Sequence, residues 1–217
     1  MTDIISRNSC YHGLHGFGTS IIGDSELREG YGPLVPETVR VSDTDIDQVR
    51  RTVESIGPER IAAIIAEPII GAGGMIPASR EYLEGLRRIA DEDDILLIFD
   101  EVVSGFGRTG EWFASELYGV TPDMTTFAKG VTSGYVPLGG VFVAPKVGGP
   151  FYDSSNPNPP AYWQGLTYSG HALAAAAALA NLSVIEDGHL LDNVRDLSSY
   201  IDTELHSRFD DDSNVVD

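Results

Sequence analysis

The chain has 217 residues, 42% of them hydrophobic, so it can build an apolar core and is not an intrinsically disordered protein. Its 33 acidic and 14 basic residues give a formal net charge of −19, which argues against nucleic acid or an anionic membrane surface as a partner, because both bind cationic patches. Cys10 is the single cysteine, so the sequence offers neither an internal disulfide nor a cysteine cluster for a metal.

The N-terminal residues show no signal-peptide pattern, and no apolar run is long enough to cross a bilayer. We therefore expect a cytoplasmic protein. An acidic excess with only two lysines against twelve arginines fits a salt-adapted (halophilic-like) cytoplasm, but an ordinary acidic soluble protein has the same pattern. The composition leaves both interpretations open.

Short apolar runs alternate with helical periodicity along the chain. A strand is predicted to end at Ile4-Ile5, and residues 13–36, rich in Gly and Pro, are predicted to form a long loop. The elements predicted after it are a helix over 43–56, a strand over 61–66, a helix from a Ser79 cap to about residue 90, strands over 95–99, 124–127 and 140–143, a loop over 147–160, and helices over 171–186 and 190–205.

This alternation predicts an α/β fold: a three-layer arrangement in which helices cover both faces of a mostly parallel sheet. In such sheets ligands bind at the carboxyl ends of the strands. Asp100 directly follows the strand predicted over 95–99, and Lys129 follows the strand predicted over 124–127. Both side chains should therefore lie at the ligand-binding edge.

A carboxylate and a lysine at two strand ends are what pyridoxal phosphate (PLP) chemistry requires. The lysine binds the cofactor aldehyde covalently, and the carboxylate keeps the ring nitrogen protonated so that the ring can accept electrons. Gly130 and Gly134 follow the lysine, and glycine would let a cofactor approach the backbone closely.

Asp100-Glu101-Val102 after an apolar run also has the pattern of a Walker B strand, which would indicate a nucleotide hydrolase. That interpretation needs a G-x-x-x-x-G-K-[ST] loop upstream, and neither Lys129 nor Lys146 lies in one. An ion-paired or helix-capping aspartate at a strand end is the remaining alternative, and this segment alone does not exclude it.

Two further segments are typical of a cofactor site. Tyr11-His12-Gly13 follows the first strand, where an aromatic ring can stack on a flat cofactor, although a core tyrosine gives the same pattern. Thr167 precedes a predicted helix, where hydroxyl and free N–H groups suit a phosphate, although a plain N-cap is an equal interpretation.

Six motifs occur in a fixed order along the chain: Tyr11-His12-Gly13, Glu67-Pro68-Ile69, Asp100-Glu101-Val102, Gly105-Phe106-Gly107-Arg108-Thr109-Gly110, Ala128-Lys129-Gly130 and Thr167-Tyr168-Ser169-Gly170-His171. As a set they closely resemble the large domain of class III PLP-dependent aminotransferases of fold type I. The resemblance covers almost the whole chain. The stretch from Gly105 to Phe113, together with that from Lys129 to Tyr135, is most similar to the ω-amino acid:pyruvate branch.

The resemblance implies a role for each matching residue. Lys129 would bind PLP covalently and then move the proton between the substrate and the cofactor. Asp100 would pair with the ring nitrogen. Val102 would pack on one face of the ring and Tyr11 on the other. Val103 stands where several relatives carry a polar residue, so an extra bond to the ring hydroxyl is not expected here.

Four more residues are assigned by the same resemblance. Glu67 would lie near substrate and cofactor, and His12 and Gly13 would shape the turn after Tyr11. Thr167 would bind the cofactor phosphate of the partner subunit, which implies a homodimer with shared active sites. The expected reaction moves an amino group from an ω-amino acid or amine to a keto acid such as pyruvate.

The resemblance also predicts the domain organisation. Residues 1–207 would form the PLP-binding large domain without its N-terminal part, and residues 208–217 would begin the C-terminal small domain, so the fold should be incomplete at both ends. In the family, a phosphate-binding loop precedes the Tyr-His-Gly segment, and the small domain supplies an arginine for substrate carboxylates. Neither is found in this sequence, and Arg108 is a local candidate for the arginine, with a structural salt bridge as its alternative.

Two other hypotheses remain open on the sequence. The chain could be a truncated or inactive relative of these enzymes. It could also be a PLP enzyme of the same fold with a different reaction, such as an aminomutase, an epimerase or a decarboxylase, because Lys129 and Asp100 serve all of these.

Overall fold

The computed structural model describes residues 1–210, which form one six-stranded sheet and one two-stranded sheet with helices between the strands. In chain order the strands are β1 (Asp3–Arg7), β2 (Thr38–Val41), β3 (Ile61–Ala66), β4 (Ile69–Ile70), β5 (Ile76–Pro77), β6 (Leu96–Asp100), β7 (Met124–Phe127) and β8 (Gly140–Val143).

The helices in chain order are α1 (Phe17–Ile21), α2 (Ile46–Ile56), α3 (Arg80–Glu92), α4 (Ala114–Tyr118), α5 (Pro145–Tyr152), α6 (Ala172–Asp187) and α7 (Leu190–Phe209). Three short 3₁₀ helices lie at Glu26–Arg28, Pro58–Arg60 and Lys129–Thr132. Within residues 1–210, no helix is both long and apolar enough to span a membrane.

The large sheet has the strand order β2-β1-β3-β6-β7-β8. All neighbouring strands run parallel except β8, which pairs antiparallel with β7. Helical crossovers connect most of the parallel strands, as right-handed β-α-β units require. The predicted mostly parallel α/β fold is thereby confirmed.

The core lies between one face of the sheet and the helices α2 and α3. Side chains alternate between the two faces of a strand, and Leu97 and Phe99 of β6 point into this core, where both are fully buried. Val49 and Val53 of α2 and Leu86 of α3 meet them from the other side. The apolar stripes of these two helices thus fix α3 against β3 and β6, and α2 against α3 and the edge strand β2.

The alternate side chains of β6 point to the opposite face of the sheet. Leu96 and Ile98 are only half-buried there, so residues 1–210 cover this second face less completely than the first. Asp100 belongs to the same set by alternation, which places its carboxylate on the second face at the carboxyl end of the strand.

Two predicted loops contain helices. The segment 13–36 includes α1 and the 3₁₀ helix Glu26–Arg28, and the segment 147–160 begins inside α5. The loop prediction for α5 was wrong because Gly148, Gly149 and Pro150 are poor helix formers, whereas Pro145 at the first turn suits a helix start. Of the predicted small-domain segment 208–217, residues 211–217 lie outside the described part of the chain.

Candidate functional site

The carboxyl ends of the parallel strands bring the predicted site residues to one edge of the sheet. Asp100 ends β6 and lies opposite Thr126 of β7. The backbone N–H of Glu101 donates to the carbonyl of Thr126 at 3.0 Å, which carries the pairing one step beyond the strand. Lys129 follows three residues after Thr126 and begins a 3₁₀ helix. The predicted placement of both residues at this edge is what the structure shows.

His12 pairs directly with Asp100. The Nδ1 atom of His12 lies 2.8 Å from Oδ2 of Asp100, and both side chains are largely buried. Burial lowers the pKa of the His12 imidazole, but the hydrogen bonds to Asp100 and Cys10 outweigh it and raise that pKa from 6.5 to about 10. His12 is therefore a cation at neutral pH, with its Nδ1–H donating to the Asp100 carboxylate.

The Asp100 carboxylate is held at both of its oxygens. Its Oδ1 accepts the backbone N–H of Val102 at 3.1 Å, while Oδ2 faces His12. Each carboxylate oxygen can accept two hydrogen bonds, so this carboxylate can still accept from a further N–H donor. His12 was predicted to shape the turn after Tyr11, and the structure adds a direct hydrogen bond to Asp100.

Glu67 fixes the segment that carries Tyr11. Its buried carboxylate accepts the backbone N–H of Tyr11 at 2.8 Å and that of Gly71 at 3.0 Å. Burial raises the pKa of Glu67, and these two N–H groups oppose that rise. Arg7 donates to the backbone carbonyl of Glu67 at 2.7 Å. Glu67 thereby ties the end of β3 to the residue that precedes His12.

Backbone strain concentrates around Lys129. The residue has φ = 41°, in the left-handed region that side chains other than glycine rarely adopt. Met75, Phe106 and Ser133 are also non-glycine residues with positive φ, and all three line one cavity together with Lys129. Such conformations cost roughly 1–3 kcal/mol each and cluster at functional sites. The cavity they surround is therefore the best candidate for a binding site.

This cavity, which we call the Lys129 cavity, has a volume of about 840 Å³. Its walls are the loop after β6, the 3₁₀ helix at Lys129–Thr132, the end of α6 and the start of α7. Val102 and Val103 line it, as does Gly130. A Cβ on Gly130 would lie 3.0 Å from Cβ of Phe106, so the loop after β6 would have to shift slightly to accommodate any larger residue there.

The two lysines of the chain have different environments. Lys146 lies 2.5 Å from Asp123, a largely buried carboxylate that also accepts the backbone N–H of Leu97 and pairs with Arg87. Asp123 precedes β7, so this cluster is at the amino edge of the sheet, away from Asp100. Burial raises the pKa of Asp123, but Lys146, Leu97 and Arg87 more than offset this and lower it overall. Lys129 is the lysine on the side of the candidate site.

The remaining predicted residues differ in placement. Gly13 has φ = 94° and makes the turn after His12 that the sequence predicts. Thr167 lies in an exposed stretch that precedes α6 and lines neither the Lys129 cavity nor the smaller cavity beside β7 and β8. Hydrogen bonds join Tyr11 to Glu67, His12 to Asp100 and Val102 to Asp100, and Val102 lines the cavity that contains Lys129, whereas Thr167 lies apart from both groups.

Sequence reasoning missed a structural role for Glu101. Its carboxylate is fully buried and accepts the backbone N–H groups of Ala114 and Ser115, at the start of α4, and the hydroxyl of Ser104. These bonds anchor both ends of the loop that carries Val102, Val103 and Phe106. Glu101 lies thirteen residues before Ala114, so no local sequence pattern predicts that its carboxylate caps α4.

The chemistry available at this edge is an amine, an ion-paired carboxylate and a cavity with apolar walls. Within residues 1–210, no three or more His, Cys, Asp or Glu side chains are grouped so that they could hold a metal ion. The donor set instead suits an organic group that carries a carbonyl for the amine and an N–H for the carboxylate.

Comparison with known proteins agrees with this geometry. The family model described as aminotransferase class-III matches residues 1–217. A probable aminotransferase of Mycobacterium tuberculosis is 36% identical over 95% of this chain and 47% of its own length. The putrescine–pyruvate aminotransferase of Pseudomonas aeruginosa is 37% identical over 88% of this chain and 45% of its own length.

Solved structures show the same fold. An amine transaminase from an uncultivated Pseudomonas species, solved in its PLP-bound form, superposes with a TM-score of 0.88 at 33% identity, covering 94% of this chain and 50% of that one. The chain thus spans about half the length of the relatives that it matches.

Proposed function

Because the chain belongs to the class III aminotransferase family, we propose that it carries the cofactor-binding part of a PLP-dependent enzyme. The proposed reaction moves an amino group from an ω-amino acid or amine to a keto acid such as pyruvate. The observation that carries the proposal is the arrangement at the carboxyl edge: Asp100, fixed by His12 and Val102, ends the strand next to the one that leads to Lys129.

The residues present fit PLP by their chemistry. Lys129 would hold the aldehyde carbon, and Asp100 would accept the ring N–H with the capacity left after its bonds to His12 and Val102. Val102, in the cavity wall, and Tyr11, next to His12 in the chain, would contact the two ring faces. PLP, when bound, supplies a ring that withdraws electrons from the substrate carbon bonded to the nitrogen.

The chain's own residues would then act in defined ways. Lys129 Nζ would be the base that takes the proton from the amine-bearing carbon of the substrate. His12 keeps a proton on Nδ1 and holds the Asp100 carboxylate in one orientation. Glu67 fixes the backbone of Tyr11 through its hydrogen bond. The reaction has two halves, in which an amine donor and then a keto acid use the same site.

A homodimer with shared active sites is part of the proposal. Thr167 lies in an exposed stretch that also holds Tyr162, Trp163 and Tyr168, of which Trp163 is 94% exposed. Exposed aromatic side chains in one segment are typical of a protein–protein contact. Thr167 would reach the cofactor phosphate bound to the partner subunit.

Covalent labelling tests the assignment of Lys129. The purified chain is mixed with PLP and reduced with borohydride, and the modified peptide is identified by mass spectrometry. We expect the label on Lys129, together with a visible absorbance band before reduction, and loss of both in Lys129→Ala. Lys146→Ala is the matched control and should label like the parent, since Lys146 is ion-paired at the opposite edge. Equal labelling of Lys129→Ala and the parent would refute the assignment.

An amino-transfer assay separates the proposed reaction from the other reactions of this fold. With β-alanine or another ω-amine as donor, alanine should form from pyruvate. A labelled Lys129 without any amino transfer, but with isomerised or decarboxylated donor, would instead favour an aminomutase, epimerase or decarboxylase.

A further inference from the structure

Asn181 joins α6 to the 3₁₀ helix that begins with Lys129. Its side-chain N–H groups donate to the backbone carbonyl of Gly130 at 2.9 Å and to that of Val131 at 3.2 Å. Its Oδ1 accepts the hydroxyl of Ser133 at 2.6 Å. One side chain, 51 positions after Gly130 in the chain, therefore bonds to three of the residues that directly follow the lysine.

An asparagine is out of place in α6 on local grounds. The helix is rich in alanine and contains no second asparagine, and asparagine in a helix interior competes for backbone hydrogen bonds and lowers helix stability. Helical spacing puts Asn181 on the same face as the buried residues Ala174, Ala178 and Ile185. This is the face of α6 that packs on the Lys129 segment, since Ile185 and Lys129 line the same cavity.

The bonds that Asn181 makes require an amide. Among side chains of this size, the amide group alone combines two N–H donors with an acceptor oxygen. Both donors face backbone carbonyls, and the oxygen faces the hydroxyl of Ser133. Asn181 thus holds the backbone of the segment itself.

The segment that Asn181 holds is strained at both ends. Lys129 has φ = 41° and Ser133 has φ = 49°, and residues other than glycine keep such conformations only where the surrounding contacts enforce them. Inside the segment, the N–H groups of Val131 and Ser133 each donate to one backbone carbonyl, both at 3.2 Å. The acceptor for Ser133 is Gly130, the carbonyl that Asn181 also binds. The side chain from α6 therefore reinforces the segment at the point where its own bonding is sparse.

We propose that Asn181 is a positioning residue for Lys129, because it fixes the backbone from which the lysine reaches the cofactor aldehyde. This inference rests on the proposed function, since it names the group that orients the reacting amine. Asn181 acts through the backbone, because it is not among the described residues that line the Lys129 cavity. A reacting group that is displaced by about 1 Å can lose about a hundredfold in rate.

Amide hydrogen exchange without PLP tests whether Asn181 holds the segment. Asn181→Leu keeps a side chain of similar size and favours the helix, but it removes all three bonds. The amides of Val131 and Ser133 should exchange at least about tenfold faster in this variant, because local opening no longer breaks those bonds. The amide of Leu97, in the centre of the sheet, should exchange at the parent's rate. Asn193→Leu, at an exposed position of α7, is the matched control and should leave all three amides unchanged.

Labelling with PLP and borohydride tests whether this hold positions the lysine. The rate of labelling at Lys129, divided by that at Lys146 in the same molecule, should fall at least about tenfold in Asn181→Leu. Lys146 serves as the internal reference because its ion pair with Asp123 is distant from α6. Ser133→Ala, an exposed and milder change, removes a single bond of Asn181 and should move both readouts in the same direction, with exchange about fivefold faster.

Three results would overturn the inference. Exchange of Val131 and Ser133 at the parent's rate in both variants would show that Asn181 does not hold the segment. Faster exchange with an unchanged labelling ratio, or an equal acceleration at Leu97, would show a purely structural role. A parent that is not labelled preferentially at Lys129 would overturn the proposed function and the positioning role with it. That failure is recognised because the parent and Asn181→Leu still differ in exchange.

Discussion

The contact between His12 and Asp100 places a charged pair where little solvent reaches. Two buried charges that face each other offset part of the free energy lost on leaving water, whereas removing one partner leaves the other uncompensated. Asp100 therefore depends on His12 for a partner that orients its carboxylate. Near neutral pH the imidazole carries its proton because its pKa is raised to about 10.

This pair gives the protein a defined pH dependence. Because the folded-state pKa of His12 is above its ordinary value of 6.5, its contribution to folding free energy is fully present below about pH 6.5 and is lost as the pH rises through about 10. Urea unfolding of the parent and of His12→Asn, between about pH 6 and about pH 10.5, should show a stability difference that shrinks steadily with pH. His15→Asn, which changes an exposed histidine in the same segment, is the control. A difference that stays constant over this range would contradict the assignment.

The residues of the site differ in how well the sequence predicts them. Asp100 ends the apolar strand β6, so its position at a strand end can be read locally, and Lys129 comes two residues after the short strand β7. The partnership of His12 with Asp100 spans 88 positions, and that of Glu67 with Tyr11 spans 56. No local pattern encodes such contacts, because they form only when parallel strands bring their ends together.

At the scale of elements, the predictions succeeded where periodicity and caps agree. The strands β3, β7 and β8 have the predicted bounds, and α3 starts after the predicted Ser79 cap. The strand β2 was missed because it lies at the edge of the sheet and only Val41 of its four residues is buried, so it lacks a long apolar run. The helix α4 was missed because it has five residues, and the distant carboxylate of Glu101 caps it.

The cap of α3 can be tested by one substitution. The Ser79 hydroxyl accepts the backbone N–H of Tyr82 at 3.1 Å, which satisfies one of the free N–H groups at the helix start. Ser79→Ala should lower the free energy of unfolding by about 1 kcal/mol. Ser55→Ala, at an exposed position within α2, should change it by less than about 0.5 kcal/mol. Urea unfolding curves of both variants check the prediction, and equal midpoints for Ser79→Ala and the parent would show that the cap contributes nothing.

At the scale of the whole molecule, net charge and exposed apolar surface have opposite effects on the association of chains. Large exposed apolar side chains are most frequent after Tyr135, on β8, the segment before α6, and the helices α6 and α7. Exposed patches of this kind favour association. The net charge of −19 keeps copies of the chain apart in solution but also repels parts of the folded chain from one another. Salt weakens that repulsion, so both folding and assembly should depend on ionic strength.

Salt titration distinguishes the two interpretations of the acidic composition. Screening shortens the reach of charge interactions from about 10 Å at 0.1 M to about 3 Å at 1 M salt. The melting temperature should therefore rise by several degrees between about 0.05 M and about 1 M KCl, and equally in NaCl, because screening depends on ionic strength alone. A plateau above about 1 M would indicate an ordinary acidic protein in which only repulsion is screened. A continued rise toward about 3 M would favour a salt-adapted one, since screening is already complete there. A melting temperature that falls or stays flat from the lowest salt concentration would show that self-repulsion does not limit the stability of this fold.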